Sequence, residues 1–268
     1  MNDAALASAF VPLAEGRFRA TRLTRGPWDP GQQHAGPPIA LFAREVLRAA
    51  APLGLTHLGR ITANLLRPIP IAEVAVAVQT DYAGRNAAHF SATLNAEGKE
   101  VARCTALVQR ETPLELPAGL PGHPPPKAPR APDESTPGNF PFASDDPGYS
   151  QLVETRVAEG AMFRGPCAIW FRLRHPLVEG ETPSPAERVA VCADSGNGIS
   201  AILDFRKYLF VNADLTINLL RRPRGEWICI QARTLFGPDS GGLAESAIYD
   251  EAGLIGRGTQ SLAVRARG

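Results

Sequence analysis

The sequence predicts an α+β fold made of two similar halves, each a long helix followed by an antiparallel meander. Three observations predict it. Helical spacing gives way to strand-like runs in residues 1–112. The same order returns in residues 150–268. A belt of prolines, residues 113–149, separates the two. Of 25 prolines, 11 lie between Pro113 and Pro147. Such a stretch holds neither a long helix nor a paired central strand, so it should run extended over the surface.

The first half opens on a loop dense in glycine and proline, WDPGQQHAGPP. IALFAREVLRAA follows, with Ile39, Phe42, Val46 and Leu47 at helical spacing. Pro37 and Pro38 suit a helix start, where a missing N–H costs little. Three apolar runs come next, at 60–70, 73–84 and 86–110. The last carries a hairpin turn at AEGK.

In the second half, residues 168–177 read as a strand. Residues 185–205 read as a helix with a glycine-containing irregularity. LFVNADLTINLLRRP, EWICIQARTLFG and GLAESAIYDEAGLIGRGTQSLAVRAR read as strands, with a hairpin at DEAG.

The halves are also alike letter by letter. Asn64-Leu65-Leu66-Arg67 returns as Asn218-Leu219-Leu220-Arg221, an offset of 154. The same offset places Thr62 on Thr216, Leu94 on Ile248, Glu97 on Glu251, Arg103 on Arg257 and Thr105 on Thr259. Shared strand composition does not explain matches at one gap-free offset, so the chain reads as a duplication. One helix barely covers one sheet face. Two copies side by side extend the sheet and bury both helices in its curve. This is the double hotdog architecture.

Composition excludes several function classes. Hydrophobic residues are 44% and charged residues 21%, which rules out bulk disorder. The net charge of +1 lacks the basic excess of a general nucleic-acid binder. No run approaches the roughly 18–20 apolar residues of a membrane span, and the first residues lack the pattern of a secretion signal. Cys104, Cys167, Cys192 and Cys229 form no CxxC or Cys/His cluster, and read as reduced packing residues of a cytoplasmic protein. The histidines at 34, 57, 89, 123 and 175 give no metal spacing. A Gly-x-Ser-x-Gly elbow is missing, as are the phosphate-loop and dinucleotide glycine patterns.

HAGPPIALFAREVL, LLRPIP, ADSGNGISAILD, NADLTINLLRRPRGEW and GLAESAIYDEAGLIGRGTQSL resemble the thioesterase-like superfamily, and more narrowly the bacterial acyl-CoA thioesterase II group. The likeness covers both halves. It implies hydrolysis of an acyl-CoA to free acid and coenzyme A, with coenzyme A entering as part of the substrate and no cofactor. It also implies an aspartate, a hydroxyl residue and a glutamine in the second half. The aspartate position is Asp194 and the glutamine is Gln260. The hydroxyl position reads Asn212, a departure, because an amide is no hydroxyl. Thr216 is the nearby stand-in. A homodimer is a further expectation from the family.

At the offset of 154, Asp194, Asn212 and Gln260 fall on Ala40, Leu58 and Ala106. One site per chain follows. A carboxylate can accept a proton from water while an amide holds that water; Asp194 and Gln260 suit these roles. Gly36, beside His34 at the first helix start, offers an N–H to a carbonyl oxygen. Arg221 and Arg222 offer charge to the phosphates of coenzyme A. The acyl chain is expected in an apolar tunnel between helix and sheet.

Bland readings compete with these. Asp194 can be a local cap, Gln260 a cross-strand brace, His34 a loop hydrogen-bonder and the arginine pair a solvated turn. Two other functions remain: a non-catalytic acyl-CoA or acyl-carrier-protein binding module, and a hotdog hydratase. The latter would want an aspartate and a histidine near the helix start, and no aspartate follows His34 in its helix.

Overall fold

The computed structural model describes residues 7–120, 127–140 and 146–267. The first half holds β1 (Phe10–Ala14), β2 (Arg17–Ala20), α1 (Gly36–Ala50), β3 (His57–Leu65), β4 (Glu73–Ala83), β5 (Ala87–Ala96) and β6 (Lys99–Gln109). A short β7 (Thr136–Gly138) and the one-turn α2 (Tyr149–Leu152) follow. Then come β8 (Val153–Glu159), β9 (Cys167–Leu173), α3 (Pro185–Ala193), α4 (Gly196–Ile199), β10 (Tyr208–Asn212), β11 (Asp214–Leu219), β12 (Ile228–Phe236), β13 (Gly241–Asp250) and β14 (Gly253–Ala266).

All fourteen strands join one sheet, in the order β1-β2-β4-β5-β6-β3-β11-β14-β13-β12-β9-β8-β7, with β10 also on β14. The two halves meet at the antiparallel pair β3–β11, where Thr62 faces Thr216. Register carries the duplication outward from there. Thr62 faces Thr105 as Thr216 faces Thr259, Ser91 faces Thr105 as Glu245 faces Thr259, and Gln79 faces Ser91 as Arg233 faces Glu245. Every pair differs by 154.

The helices do not keep that offset. They start at Gly36 and Pro185, which are 149 apart. The matches of Asn212 with Leu58 and Gln260 with Ala106 rest on strands and hold. The match of Asp194 with Ala40 does not, because the connection into the meander is longer in the second half.

Helix α1 forms where expected. Ile39, Leu41, Phe42, Ala43 and Val46 are fully buried on it. Burying each large side chain stabilises the fold by about 1.5–3 kcal/mol. The helix ends in a turn at Ala51–Leu53, closed by Gly54 at φ +67. Helix α3 is capped by Ser184, whose Oγ accepts from the N–H of Glu187 at 3.3 Å, with Pro185 at the first helical position. The start of α1 lies against the end of α3, since a Cβ on Gly36 would sit 2.3 Å from the carbonyl oxygen of Val191. The two helices therefore run antiparallel.

The helix expected over 185–205 stops at Ala193. The chain turns at Asp194–Ser195 and resumes for one turn as α4. A Cβ on Gly196 would sit 2.7 Å from Ser246 Oγ and 3.0 Å from Gln260 Oε1. Glycine there lets the break lie directly on β13 and β14. Strands β1, β2 and β8 extend the sheet beyond the runs that the sequence marks as strands.

The proline belt does more than cross the surface. Its described part supplies the edge strand β7, a buried Ser135 and a buried Tyr149. Residues 121–126 and 141–145 of the belt, including His123, lie outside the described residues. All four cysteines are buried and unpaired. Burial pushes the thiols of Cys104 and Cys167 up to about 12, which makes them poor nucleophiles. Among the described residues, no helix is long and apolar enough to cross a membrane, and no cluster of three metal-ligating side chains forms.

Candidate active site

Antiparallel helices bring the C-terminal end of one to the N-terminal end of the other. This places Asp194, at the C-cap of α3, beside His34, just ahead of α1. The contact joins the two repeats, and neither repeat alone contains it.

Three side chains contact Asp194, which is 5% exposed, and a fourth links them. Asn212, at the end of β10, donates from Nδ2 to Asp194 Oδ1 at 2.8 Å. Gln260, from β14, donates from Nε2 to the Asp194 carbonyl at 3.0 Å and lies 3.4 Å from Oδ1. His34 Nδ1 is 3.0 Å from Oδ2. Asn197 closes the ring: its N–H donates to Gln260 Oε1 at 2.8 Å, and its Nδ2 to Asn212 Oδ1 at 3.0 Å.

The main chain fixes His34. Its N–H donates to the Thr24 carbonyl at 2.7 Å, and the neighbouring Gln33 N–H donates to Ile69 at 2.8 Å. The Tyr149 ring lies flat on the imidazole, with centroids 3.8 Å apart and planes 6° apart. The Tyr149 hydroxyl is held by the Val191 carbonyl and by Ser195 Oγ, each at 2.9 Å. Burial lowers the pKa of His34 below the ordinary imidazole value, and the charge of Asp194 opposes that only in part. The ring is therefore neutral at pH 7. Burial also pushes the Tyr149 hydroxyl far up.

The tautomer follows from the neighbours. The Gly36 N–H lies 3.2 Å from Nδ1, so that nitrogen has a donor on one side and a carboxylate on the other. Nδ1 has one in-plane site, so it cannot both accept from Gly36 at 3.2 Å and donate to Oδ2 at 3.0 Å. Facing a carboxylate it carries the proton for Oδ2, and the Gly36 N–H gives up that bond. Nε2 then carries the lone pair.

His34, Asp194, Asn197, Asn212 and Tyr149 line one cavity of about 590 Å³. Trp28, Phe140, Phe163 and Phe205 form much of its wall. Trp28 and Phe205 are 5.4 Å apart, and Phe210 backs both. The cavity opens at the start of α1 and the α3–α4 break. Ile39, Phe42 and Val46 on α1 are fully buried, and none of them lines it.

Family models for the N-terminal and the C-terminal domain of acyl-CoA thioesterases match residues 24–109 and 123–264. The chain belongs to the acyl-CoA thioesterase family. Solved structures agree on the fold. A protein of Alicyclobacillus acidocaldarius with a hot dog fold is 16% identical, over 98% of this chain and 97% of its own, with a TM-score of 0.71. A candidate thioesterase of Novosphingobium aromaticivorans is 19% identical over 95% and 98%, at 0.69. An acyl-CoA thioesterase II of Mycobacterium marinum is 14% identical over 97% and 95%, at 0.64. No curated protein matches the chain in sequence.

Within this thioesterase fold the sequence candidates separate into two groups. Asp194, Asn212, Gln260 and His34 come together. Thr216 does not join them: its Oγ1 donates to Thr62 Oγ1 at 3.1 Å, at the junction of the repeats. Arg221 clamps the fully buried Asp250 with both Nη atoms, at 2.5 and 2.6 Å, and Arg222 lies 4.0 Å from Glu111. Neither arginine lines the cavity, where the cations are Arg25 and Arg67. Gly36 turns its N–H toward His34 and serves the close approach of α1 to α3. Gln260 is 2% exposed with both ends of its amide bonded, so it braces the α3–α4 break.

Tyr149 and Asn197 carried no signal in sequence. Tyr149 is the last residue of the proline belt, and Asn197 sits in a glycine-rich turn. Only the antiparallel helix pair brings them to the site.

Proposed function

We propose that the chain hydrolyses an acyl-CoA thioester to the free acid and coenzyme A in the cavity beside Asp194. One observation carries this reading. The chain belongs to the acyl-CoA thioesterase family, and a buried polar constellation, Asp194 with Asn212, Gln260, Asn197 and His34, opens onto an aromatic-walled cavity.

Hydrolysis needs a water, a group to take its proton and a place for the acyl group. The Asp194 cluster supplies fixed negative charge and a proton acceptor, either the carboxylate or the imidazole bonded to it. Asn212 replaces the hydroxyl of the type II pattern. Its amide holds Asp194 Oδ1 and turns the carboxylate toward His34. Trp28, Phe140, Phe163 and Phe205 offer apolar surface to the acyl group. Arg25, which also pairs with Asp146, and Arg67 line the cavity and are the cations available to the coenzyme A phosphates.

The test is thiol release from a panel of short, long and aromatic acyl-CoAs. Turnover on at least one member supports the reading. Tight acyl-CoA binding with no thiol release on any member would replace it with the binding module.

A further inference from the structure

We infer that His34, and not Asp194, is the group that takes the proton from the attacking water, with Asp194 as its positioning residue. The inference rests on the thioesterase reading and assigns the chemical step within that site.

The geometry decides between the two groups. Both oxygens of Asp194 already face donors: Oδ1 meets Asn212 and Gln260, and Oδ2 meets His34. Its side chain is 4% exposed. A carboxylate so enclosed offers little to a water in the cavity. Both side chains line the cavity, and at 13% exposed the imidazole presents the larger open surface to it. With Nδ1 turned to Asp194, Nε2 is the nitrogen left for the cavity. The Tyr149 ring stacked at 3.8 Å keeps the imidazole plane from rotating, so the direction of that lone pair is fixed.

The step balances without any further reactant. The Nε2 lone pair takes a proton from water as the water oxygen bonds to the thioester carbonyl carbon. The carbonyl π pair moves onto its oxygen. As the tetrahedral species collapses, the C–S bond breaks and its electrons leave with sulfur. The proton on Nε2 passes to that thiolate, and His34 returns neutral. Asp194 holds the Nδ1 proton throughout and stabilises the transient imidazolium.

The charged and titratable groups that share the cavity with His34 are Asp194 at the end of α3, Tyr149 on α2, Arg25 and Asp29 on its own loop, and Arg67 just after β3. Of these, Asp194 is the one in direct contact with the imidazole nitrogen.

The experiment uses the full chain and the best acyl-CoA of the panel. His34→Gln and His34→Ala should each lower kcat by about 10²–10⁴-fold with KM little changed. Free imidazole should restore part of kcat to His34→Ala and none to Asp194→Asn. Wild-type kcat/KM should fall on an acid limb with the slope of one proton, and that limb should be absent from His34→Ala without imidazole. Circular dichroism and melting curves check that the variants fold; if His34→Ala does not, His34→Gln and the wild-type pH profile still decide. A His34→Gln enzyme with wild-type kcat would overturn the assignment. So would an acid limb that persists unchanged in that variant. A wild type that releases no thiol from any acyl-CoA overturns the thioesterase reading instead, and is seen before any variant is made.

Discussion

Replacing Gln260 by leucine tests how the site is held. The two side chains are similar in volume, so the change opens little cavity. What it removes is defined by the bonds. The Asn197 N–H loses its acceptor at 2.8 Å, and the Asp194 carbonyl loses its donor at 3.0 Å. Both lie in a buried region. An orphaned buried N–H costs about 1–3 kcal/mol. The carbonyl costs less, because Asn212 Nδ2 still lies 3.5 Å away. The sum is about 2–4 kcal/mol, or a fall in Tm of roughly 5–15 °C for a domain of this size. Scanning calorimetry and thiol release measure both consequences. Stability should fall by that amount, and kcat should fall with it, since the α3–α4 break that carries Asp194 is no longer tied to β14. Gln260→Glu should be worse for activity than for folding. It keeps an acceptor for Asn197 and places a second carboxylate against the first. A Gln260→Leu protein with unchanged Tm and kcat would refute the reasoning.

Four other predictions use other parts of the molecule. Asp250→Ala leaves Arg221 and two backbone N–H groups without their acceptor, and should cost about 3–5 kcal/mol by chemical denaturation. Arg221→Ala should lower stability while leaving KM for acyl-CoA within about twofold, since Arg221 does not line the cavity; a KM rise of about tenfold or more would restore it as a coenzyme A contact. The His34 pKa is lower folded than unfolded, so its contribution to stability is present above the usual imidazole value of 6.5 and is lost as pH falls below it. Urea midpoints of His34→Gln should therefore drop less than those of wild type between pH 7 and pH 5, and an equal drop would contradict the burial argument. Trp28 lines the cavity at 39% exposure, while Trp170 and Trp227 are buried in a second cluster. Acyl-CoA binding should change tryptophan emission, and the change should vanish in Trp28→Phe.

Much of the fold was legible because strand pairing is local and repetitive. The 154-residue offset in sequence is the same offset that register shows across β3–β11 and outward through β6, β5 and β4. Helix α1 was legible from its apolar spacing and its prolines. The end of α3 was less so. The glycines at 196 and 198 read as an irregularity, whereas the close contact of Gly196 with Ser246 and Gln260 makes them a true break. Asp194, Asn212 and Gln260 were reached through family resemblance. The partnership of His34 with Asp194 was out of reach, because 160 residues separate them and the helix offset of 149 differs from that of the strands. Arg221 shows the reverse error. An arginine cluster in sequence suggested phosphate binding, but a buried aspartate 29 residues on had already claimed its first member.

The most direct test of the account is the ratio of kcat for wild type and Asp194→Asn on the best acyl-CoA, with acyl-CoA affinity titrated in parallel. The account predicts a fall in kcat of about 10²–10⁴-fold with affinity unchanged, since the variant keeps the shape of the site and loses the charge that orients and steadies the imidazole. Equal turnover in the two proteins would contradict it, and would place the chemistry somewhere other than the junction of the two helices.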